Sequence, residues 1–238
     1  MPAQSSERMI LDAWQANAQA WERAVRDGRI ESRLLVTDQA IVDAVLACRP
    51  RRVIDLGCGE GWLARRLADA GIAVLGIDAI PALVEAARAQ GGGDFRVMSY
   101  DDVASGALHE RADVVVCNFS LLGGDSVDAL LAAVPDLLAP GGCLLVQTLH
   151  PLAAMGEGAY VDGWREGSWV GCGEGFGDAA PWYFRTLDGW MSSLSRARLR
   201  LDGLREPMHP RTGRPASILF QAVAASVCEA CSSSLGTQ

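Results

Sequence analysis

Three glycines at alternate positions follow an acidic residue in the stretch Val53-Ile-Asp-Leu-Gly-Cys-Gly-Glu-Gly61. A second apolar run, Val74-Leu-Gly-Ile-Asp78, also ends in a carboxylate. Backbone N–H groups in a loop of small residues can approach a ligand closely, because no Cβ blocks them. A carboxylate after the second strand can accept charge-assisted hydrogen bonds from two ribose hydroxyls. This spacing therefore predicts a nucleoside site at the carboxyl ends of the first two strands of a doubly wound sheet.

The glycine spacing argues against a dinucleotide. The dinucleotide fingerprint requires the pattern G-x-G-x-x-G. Gly57, Gly59 and Gly61 place the third glycine one residue early, and the bulky Trp62 occupies the next position. No pyrophosphate-binding pattern is completed.

With these motifs the chain resembles the class I S-adenosylmethionine-dependent methyltransferases. Asp55-Leu-Gly-Cys-Gly-Glu-Gly61 is similar to their first motif, and Asp113-Val-Val-Val-Cys-Asn-Phe-Ser120 to their fourth strand with its cofactor-facing end. Leu137-Leu-Ala-Pro-Gly-Gly-Cys-Leu-Leu-Val-Gln147 resembles their helix, Pro-Gly-Gly turn and fifth strand. The resemblance is close over residues 40 to 150. It implies an α/β fold with a Rossmann-like, doubly wound, seven-stranded sheet, mostly parallel with an antiparallel last strand, and with helices on both faces.

The resemblance also implies a cofactor and the residues that bind it. S-adenosylmethionine carries no phosphate, so no anion cradle is needed, and a carboxylate near its sulfonium is favourable. Asp78 is expected to bind the ribose and Arg33 to pair with the methionyl carboxylate, while the adenine contact falls to Asp101 or its neighbour. The full expected set is Arg33, Asp55, Gly57, Cys58, Gly59, Gly61, Asp78, Ala79, Ile80, Tyr100, Asp101, Asn118 and Phe119.

Apolar runs alternate with helical patterns, which is typical of a parallel sheet covered on both faces. An amphipathic helix within residues 8–27 ends at Gly28, and a second helix, 37–48, ends before Pro50. The expected strands are 52–56, 73–77, 95–99, 113–117, 142–149, 199–205 and 218–225. The expected helices between them are 61–70, 80–90, 125–138 and 188–198, with a helix or turn at 101–107.

The amino-acid composition changes after His150, and this change predicts a division of the chain into segments. Residues 151–190 carry four of the seven tryptophans and eight glycines between Gly156 and Gly177. Flexible linkers do not carry so many aromatic residues, and long loops in compact domains are usually lids or binding loops. A structural Ω-loop that packs its own aromatic residues is the alternative. The expected division is a helical cap (1–36), a cofactor core (37–150), an aromatic substrate lid (151–190), a helix with a strand pair (191–227) and a tail (228–238).

Methyl transfer from a sulfonium is an in-line displacement in which alignment supplies much of the rate. A base is needed only if the acceptor arrives protonated, and an imidazole suits that role near neutral pH. His150 ends the fifth strand and is the first candidate base, with His209 and Tyr183 as the others; a strand-capping role for His150 is the alternative. The expected substrate-binding residues are Trp164, Trp182, Tyr183, Arg185 and Glu206.

Composition narrows the function further. The formal charge is −8 and all 21 basic residues are arginine, so lysine-dependent Schiff-base and P-loop chemistry is excluded. The acidic balance makes a nucleic-acid partner unlikely, although the arginines at 196–214 keep methylation of a modified tRNA base as an alternative. A non-catalytic cofactor-binding regulator is the alternative from another class.

The cysteines and the hydropathy pattern predict a cytoplasmic location. The seven cysteines are an odd number, no secretory segment or membrane span is evident, and Cys228 and Cys231 are expected to be free thiols. We expect no metal site, a small-molecule substrate methylated at oxygen, nitrogen or carbon, no membrane partner and a monomer or homodimer.

Overall fold

Strands and helices alternate through the first part of the chain. The structure, a computed structural model, describes residues 3–225. Its first part contains α1 (Ala3–Arg26), a π-helical turn (Arg33–Thr37), α2 (Asp38–Ala47), β1 (Arg52–Leu56), α3 (Trp62–Ala68), β2 (Ala73–Asp78), α4 (Pro81–Gln90), β3 (Asp94–Val97), α5 (Tyr100–Ala104), β4 (Ala112–Asn118), α6 (Asp125–Leu137) and β5 (Leu138–Leu149). The second part contains α7 (Pro151–Ala154), β6 (Gly163–Arg165), β7 (Trp182–Phe184), α8 (Leu187–Arg196), β8 (Leu199–Arg205) and β9 (Ser217–Ala224).

Seven of the strands form one sheet, in the order β3-β2-β1-β4-β5-β9-β8. The first five strands pair in parallel, whereas β9 is antiparallel to both β5 and β8. The strand order reverses beside β1, and such a switch point leaves a crevice outside the carboxyl ends of the strands. The predicted fold class is confirmed.

Both faces of the sheet are buried, because alternate residues of each strand enter different apolar clusters. Ile54 packs with α6 and α8, and Val53 on the opposite face packs with α2, α3 and α4. The same alternation separates Val115 from Val114 in β4. Strands buried on both faces appear as nearly continuous apolar runs, which explains why they could be predicted from the sequence.

The glycine-rich segment after β5 packs onto α1. The Trp169 ring lies 5.2 Å from the Trp14 ring and is stacked on Phe176 at 4.6 Å. Asn17 of α1 accepts a hydrogen bond from the Gly177 N–H at 2.7 Å and donates one to Asp178 O at 3.2 Å. The expected lid segment therefore covers α1 with its aromatic residues, and it also contains the antiparallel pair β6 and β7.

Two local features differ from the sequence expectation. The segment 33–37 forms a π-helical turn that continues directly into α2, and the short helix α7 begins immediately after His150. Cys228 and Cys231, with the tail 228–238, lie outside the described residues. Within residues 3–225, no helix combines the length and the apolar character that crossing a bilayer requires.

Candidate functional site

A cavity of about 750 Å³ lies at the carboxyl ends of β1, β2 and β4. Its volume is within the range of small-molecule sites, about 300–1,000 Å³. The floor is the sheet edge, and one wall is α1. The predicted cofactor residues that line it are Gly57, Gly59, Asp78, Ala79, Ile80, Tyr100, Asp101, Asn118 and Phe119.

A glycine is required for a different structural reason at each of the three motif positions. All three have positive φ, 80° at Gly57, 56° at Gly59 and 80° at Gly61. A Cβ on Gly57 would lie 2.3 Å from the Ser120 Cβ, and one on Gly61 would lie 3.0 Å from the Ala87 Cβ. At Gly59 the nearest atom is Trp21 Nε1 at 3.6 Å, so this glycine alone leaves open space that a ligand can occupy. Gly61 lies outside the cavity wall.

Asp78 joins the glycine loop to the end of β2. Its Oδ2 atom accepts a hydrogen bond from the Gly59 N–H at 2.8 Å, and its Oδ1 atom accepts one from the Ile80 N–H at 2.9 Å. Burial raises the pKa of Asp78, and these backbone hydrogen bonds oppose the rise. Each carboxylate oxygen retains a second acceptor site that ribose hydroxyls can use.

Asp55 and Cys58 lie behind the cavity wall. Asp55 is only 2% exposed. Its burial, with the negative charge of Asp78, raises the pKa of Asp55 to about 7. Burial also raises the pKa of the Cys58 thiol. These two residues support the loop from below, so direct contact with a cofactor remains a prediction.

The π-helical turn leaves two buried polar atoms without partners. The Arg33 guanidinium lies 4.6 Å from the Trp62 ring centre and pairs through Nε with Asp38 Oδ1 at 2.9 Å. Its Nη2 atom has no hydrogen-bond partner among the described residues, nor has Thr37 Oγ1. Buried polar groups are normally satisfied. Arg33 lies beside Trp21, which lines the cavity, whereas Arg33 and Thr37 themselves are not among the lining residues. The chemistry of a free donor and a hydroxyl fits a carboxylate ligand.

Thr37, Gln147 and Ser120 were not predicted as site residues. Gln147, 1% exposed, donates from Nε2 to Thr37 O at 2.9 Å and to Asn118 Oδ1 at 2.8 Å. Ser120 Oγ donates to Leu56 O at 2.7 Å and lies against Gly57. Gln147 could have been predicted from the sequence, because it is an uncharged polar residue that interrupts the apolar run of the fifth strand.

The end of β4 forms the opposite wall. Phe119 has a φ of 53°, which is strained for an aromatic residue and is often associated with ligand sites. Tyr100 donates to Ser120 O at 3.2 Å, and burial raises the pKa of its hydroxyl. Asp102 caps α5 by hydrogen bonding to Ser99, whereas Asp101 lines the cavity. Of these two acids, Asp101 is therefore the one that can reach a ligand.

The first half of α1, which was expected only as part of a helical cap, also forms part of the cavity wall. Glu7 accepts hydrogen bonds from the Gly124 N–H at 2.8 Å and from Ser126 Oγ at 2.7 Å, at the start of α6. A carboxylate is favourable at a helix N-terminus. Further wall residues from α1 are Arg8, Ile10, Leu11, Asp12 and Trp14.

His150 is placed differently from the expectation that it faces the transferred methyl. It is 1% exposed and does not line the cavity. Its Nε2 atom bonds to Glu206 Oε1 at 2.7 Å, and its Nδ1 atom accepts from the Leu152 N–H at 3.2 Å. Both ring nitrogens are occupied, so the imidazole caps α7 and has no free lone pair with which to accept a proton.

The other expected catalytic and substrate residues also lie away from the cavity wall. His209 caps its own loop through bonds from the Arg211 and Thr212 N–H groups. Arg185 is 3% exposed and donates to the Gly123 and Gly124 carbonyl oxygens, each at 2.8 Å. It thus supports the cavity wall from behind. Trp164 packs on Tyr183, Trp182 packs on Phe184, and Glu206 pairs with His150.

Comparison with curated proteins finds the ubiquinone biosynthesis O-methyltransferases of Xanthomonas. The protein of Xanthomonas oryzae pv. oryzae is 37% identical over 114 residues, which are 46% of this chain and 47% of that protein. The protein of Xanthomonas axonopodis pv. citri is 34% identical over 148 residues, 59% and 60% of the two chains. The chain thus matches about half to three-fifths of the length of these relatives.

Solved structures share the fold. The 1,6-didemethyltoxoflavin-N1-methyltransferase of Burkholderia thailandensis, solved with its substrate and S-adenosylhomocysteine, has a TM-score of 0.67 at 17% identity, covering 95% of this chain and 92% of that one. An S-adenosylmethionine-dependent methyltransferase of Mesorhizobium loti has a TM-score of 0.58 at 23% identity, covering 76% and 95%.

The family assignment rests on a match that covers more than half of the chain. A family model described as a methyltransferase domain matches residues 34–200, which contain β1 to β7, the glycine loop and the lid segment. The family that the motifs predicted is therefore confirmed. The chain belongs to the methyltransferase-domain family.

Proposed function

We propose that this protein transfers the methyl group of S-adenosylmethionine to a small-molecule acceptor. The observation that carries the proposal is the cavity at the switch point, which is lined by Gly57, Gly59, Asp78 and Asn118. Bound there, the cofactor would supply an electrophilic methyl group on a sulfonium. The protein has to hold the two reactants in line, and alignment alone can account for about 7–11 kcal/mol of a reaction barrier.

The residues present fit the parts of this cofactor. Asp78 offers acceptor sites for two ribose hydroxyls, and Ile80 and Asp101 lie in the wall that would face the adenine. The unpartnered Nη2 atom of Arg33 and the Thr37 hydroxyl fit the methionyl carboxylate. The open space above Gly59 allows close approach of the nucleoside. No phosphate-binding arrangement is required.

The acceptor would occupy the part of the cavity between α1 and the segment after β4. Leu11, Leu122 and Ala129 give this region an apolar surface, and its carboxylates are Glu7, Asp12 and Asp125. We propose that these carboxylates, rather than a histidine, take a proton from a protonated acceptor. The two histidines that were expected as candidate bases, His150 and His209, do not line the cavity.

An oxygen acceptor is favoured over a nitrogen acceptor. The relatives with the higher identity are named O-methyltransferases, whereas the N1-methyltransferase shares the fold at lower identity. A tRNA acceptor is disfavoured by the formal charge of −8. A binding protein without catalysis stays the alternative that turnover measurements would decide.

Titration calorimetry with S-adenosylhomocysteine tests the cofactor half of the proposal. We expect saturable one-to-one binding that weakens in an Asp78→Ala variant. Production of S-adenosylhomocysteine is then measured with a panel of phenols, matched anilines and bulk tRNA. Binding with no turnover on any acceptor would favour the regulatory alternative, and a folded protein that does not bind would refute the proposal.

A further inference from the structure

Two cysteines face each other at the edge of the sheet away from the cavity. Cys48 ends α2, Cys143 lies in β5, and their Sγ atoms are 3.5 Å apart. Cys143 pairs with Val114 near the start of β4, whereas the cavity lies at the opposite ends of these strands. The two thiols are therefore remote from the cofactor site, and methyl transfer does not use them.

The two sulfurs are close enough to form a covalent bond after a small movement. A disulfide has an S–S distance of about 2.05 Å. Cys48 is the last residue before Arg49, which has a φ of 50°, and Pro50 follows, so the helix has already ended there. Helix ends move more easily than helix centres. Cys143, 6% exposed and held between β4 and β9, is the fixed partner.

Cys48 is also the one described cysteine whose pKa is lowered. The hydrogen bond from the Cys143 thiol and the positive charge of Arg205 lower the pKa of Cys48 to about 7, although burial opposes them. Cys48 is partly exposed, so a small oxidant can reach it. By contrast, burial raises the pKa of Cys58, Cys117 and Cys172. Thiolates, not thiols, are the nucleophiles.

We propose that Cys48 and Cys143 form a reversible oxidation site for hydrogen peroxide. The Cys48 thiolate attacks one peroxide oxygen, which breaks the O–O bond, leaves a sulfenic acid and releases water after protonation. The Cys143 sulfur then attacks the Cys48 sulfur, loses its proton and displaces a second water. The S–S bond forms with the loss of two electrons to the peroxide, and a dithiol reductant reverses the step.

The disulfide would fasten α2 to β5 at both ends. At the start of α2, Thr37 O already accepts a hydrogen bond from Gln147 of β5. The new bond would join residues 95 positions apart, so it would restrict the unfolded chain strongly. We therefore expect the oxidised protein to melt several degrees higher than the reduced protein, with unchanged affinity for S-adenosylhomocysteine.

The test is peroxide treatment of the full chain followed by alkylation and peptide mapping without reductant. The sample carries Cys228→Ser and Cys231→Ser, so that the tail cysteines cannot contribute. We expect a linked Cys48–Cys143 peptide as the main product, reversed by dithiothreitol and absent in Cys48→Ser and in Cys143→Ser. The rise in melting temperature should also disappear in both variants.

Other products would overturn the proposal. Recovery of Cys48 as a sulfinic acid beside a free Cys143 thiol would show that the pair does not close. A Cys48 link to Cys172 would show that another partner is preferred. Should Cys143→Ser fold poorly, Cys48→Ala supplies the control at the partly exposed position. None of these outcomes depends on cofactor binding, so the test is independent of the proposed function.

Discussion

The Gln147 amide determines the orientation of the Asn118 amide. Gln147 Nε2 donates to Thr37 O, which can only accept, and to Asn118 Oδ1 at 2.8 Å. The Asn118 oxygen is therefore occupied, and its NH2 group is the part left for the cavity that Asn118 lines. A hydrogen-bond donor at this point favours an oxygen of the ligand over an amine.

We expect Gln147→Leu to destabilise the fold and to weaken cofactor binding. The variant removes the side-chain bond to Thr37 O and leaves the buried Ser217 Oγ without this partner, and an unsatisfied buried group costs about 1–3 kcal/mol. It also frees the Asn118 amide to rotate. Denaturant unfolding and calorimetry with S-adenosylhomocysteine measure the two effects. Gln221→Leu, at a partly exposed position in β9, is the matched control, and equal losses in both variants would contradict the positioning role.

Two glycine variants separate packing from ligand space. We expect Gly59→Ala to reduce cofactor affinity at a cost of only about 1–2 kcal/mol in folding free energy, the usual penalty of a left-handed residue. We expect Gly57→Ala to destabilise the fold more, because its Cβ would lie 2.3 Å from the Ser120 Cβ. Calorimetry and thermal unfolding of both proteins make the comparison. Normal binding by a folded Gly59→Ala protein would place the nucleoside elsewhere.

The Asp78→Ala variant tests the ribose contact. Hydrogen bonds to a charged group contribute about 1.5–3 kcal/mol, so the dissociation constant of S-adenosylhomocysteine should rise about 10- to 150-fold. Because Asp78 also holds the Gly59 and Ile80 amides, part of the loss would come from the loop. A 2′,3′-dideoxy analogue of S-adenosylhomocysteine, which lacks only the ribose hydroxyls, separates the two contributions. Asp69→Ala, at an exposed position, should leave binding unchanged.

The fold and the cofactor side of the site could be predicted because local patterns determine them. Val53-Ile-Asp55 and Val74-Leu-Gly-Ile-Asp78 are apolar runs ending in acids, and parallel topology brings such ends to one edge. The acceptor side could not be predicted in the same way. Glu7 meets the start of α6 through a contact between positions 117 residues apart, and no local pattern encodes that distance.

The position of His150 could be predicted from the sequence, but the direction of its side chain could not. Its position at the end of the fifth strand is correct, but side-chain direction depends on the partner that the fold supplies. Glu206, which binds Nε2 of the ring, lies between two strands that were predicted independently of His150. The helix α7 follows His150 directly, and its Leu152 N–H donates to Nδ1. The sequence places the residue at the right edge of the sheet without fixing which way its ring turns.

The buried Asp55 carboxyl predicts a pH dependence of stability. Its pKa is raised to about 7 by burial and by Asp78, while the unfolded chain titrates near 4. The folded protein therefore holds more protons than the unfolded chain between these values, and the unfolding free energy decreases as pH rises from about 4 to 7. A difference of about three pKa units corresponds to a change on the order of 4 kcal/mol from this group. Asp55→Asn should flatten this slope in urea titrations at several pH values.

Cofactor binding should show the opposite trend with pH. A bound sulfonium and ammonium favour the ionised carboxylate, so S-adenosylmethionine should bind more tightly as pH rises through about 7. The affinity of Asp55→Asn for the cofactor should vary less over the same interval. Parallel slopes for the two proteins would assign the titration to another group.

His150→Ala should affect stability rather than turnover. The substitution removes a buried imidazole, its bond to Glu206 and the cap of α7, which together are expected to cost about 2–4 kcal/mol. Because the ring does not reach the cavity, affinity for S-adenosylhomocysteine should stay within about twofold, and methyl transfer to an identified acceptor should fall less than fivefold. His209→Ala is the matched control, since its ring caps only an exposed loop and its loss should change the unfolding free energy by less than about 1 kcal/mol. A positioned base typically contributes about 10²-fold or more to the rate. A loss of turnover of that size at unchanged melting temperature would instead show that His150 acts as the base.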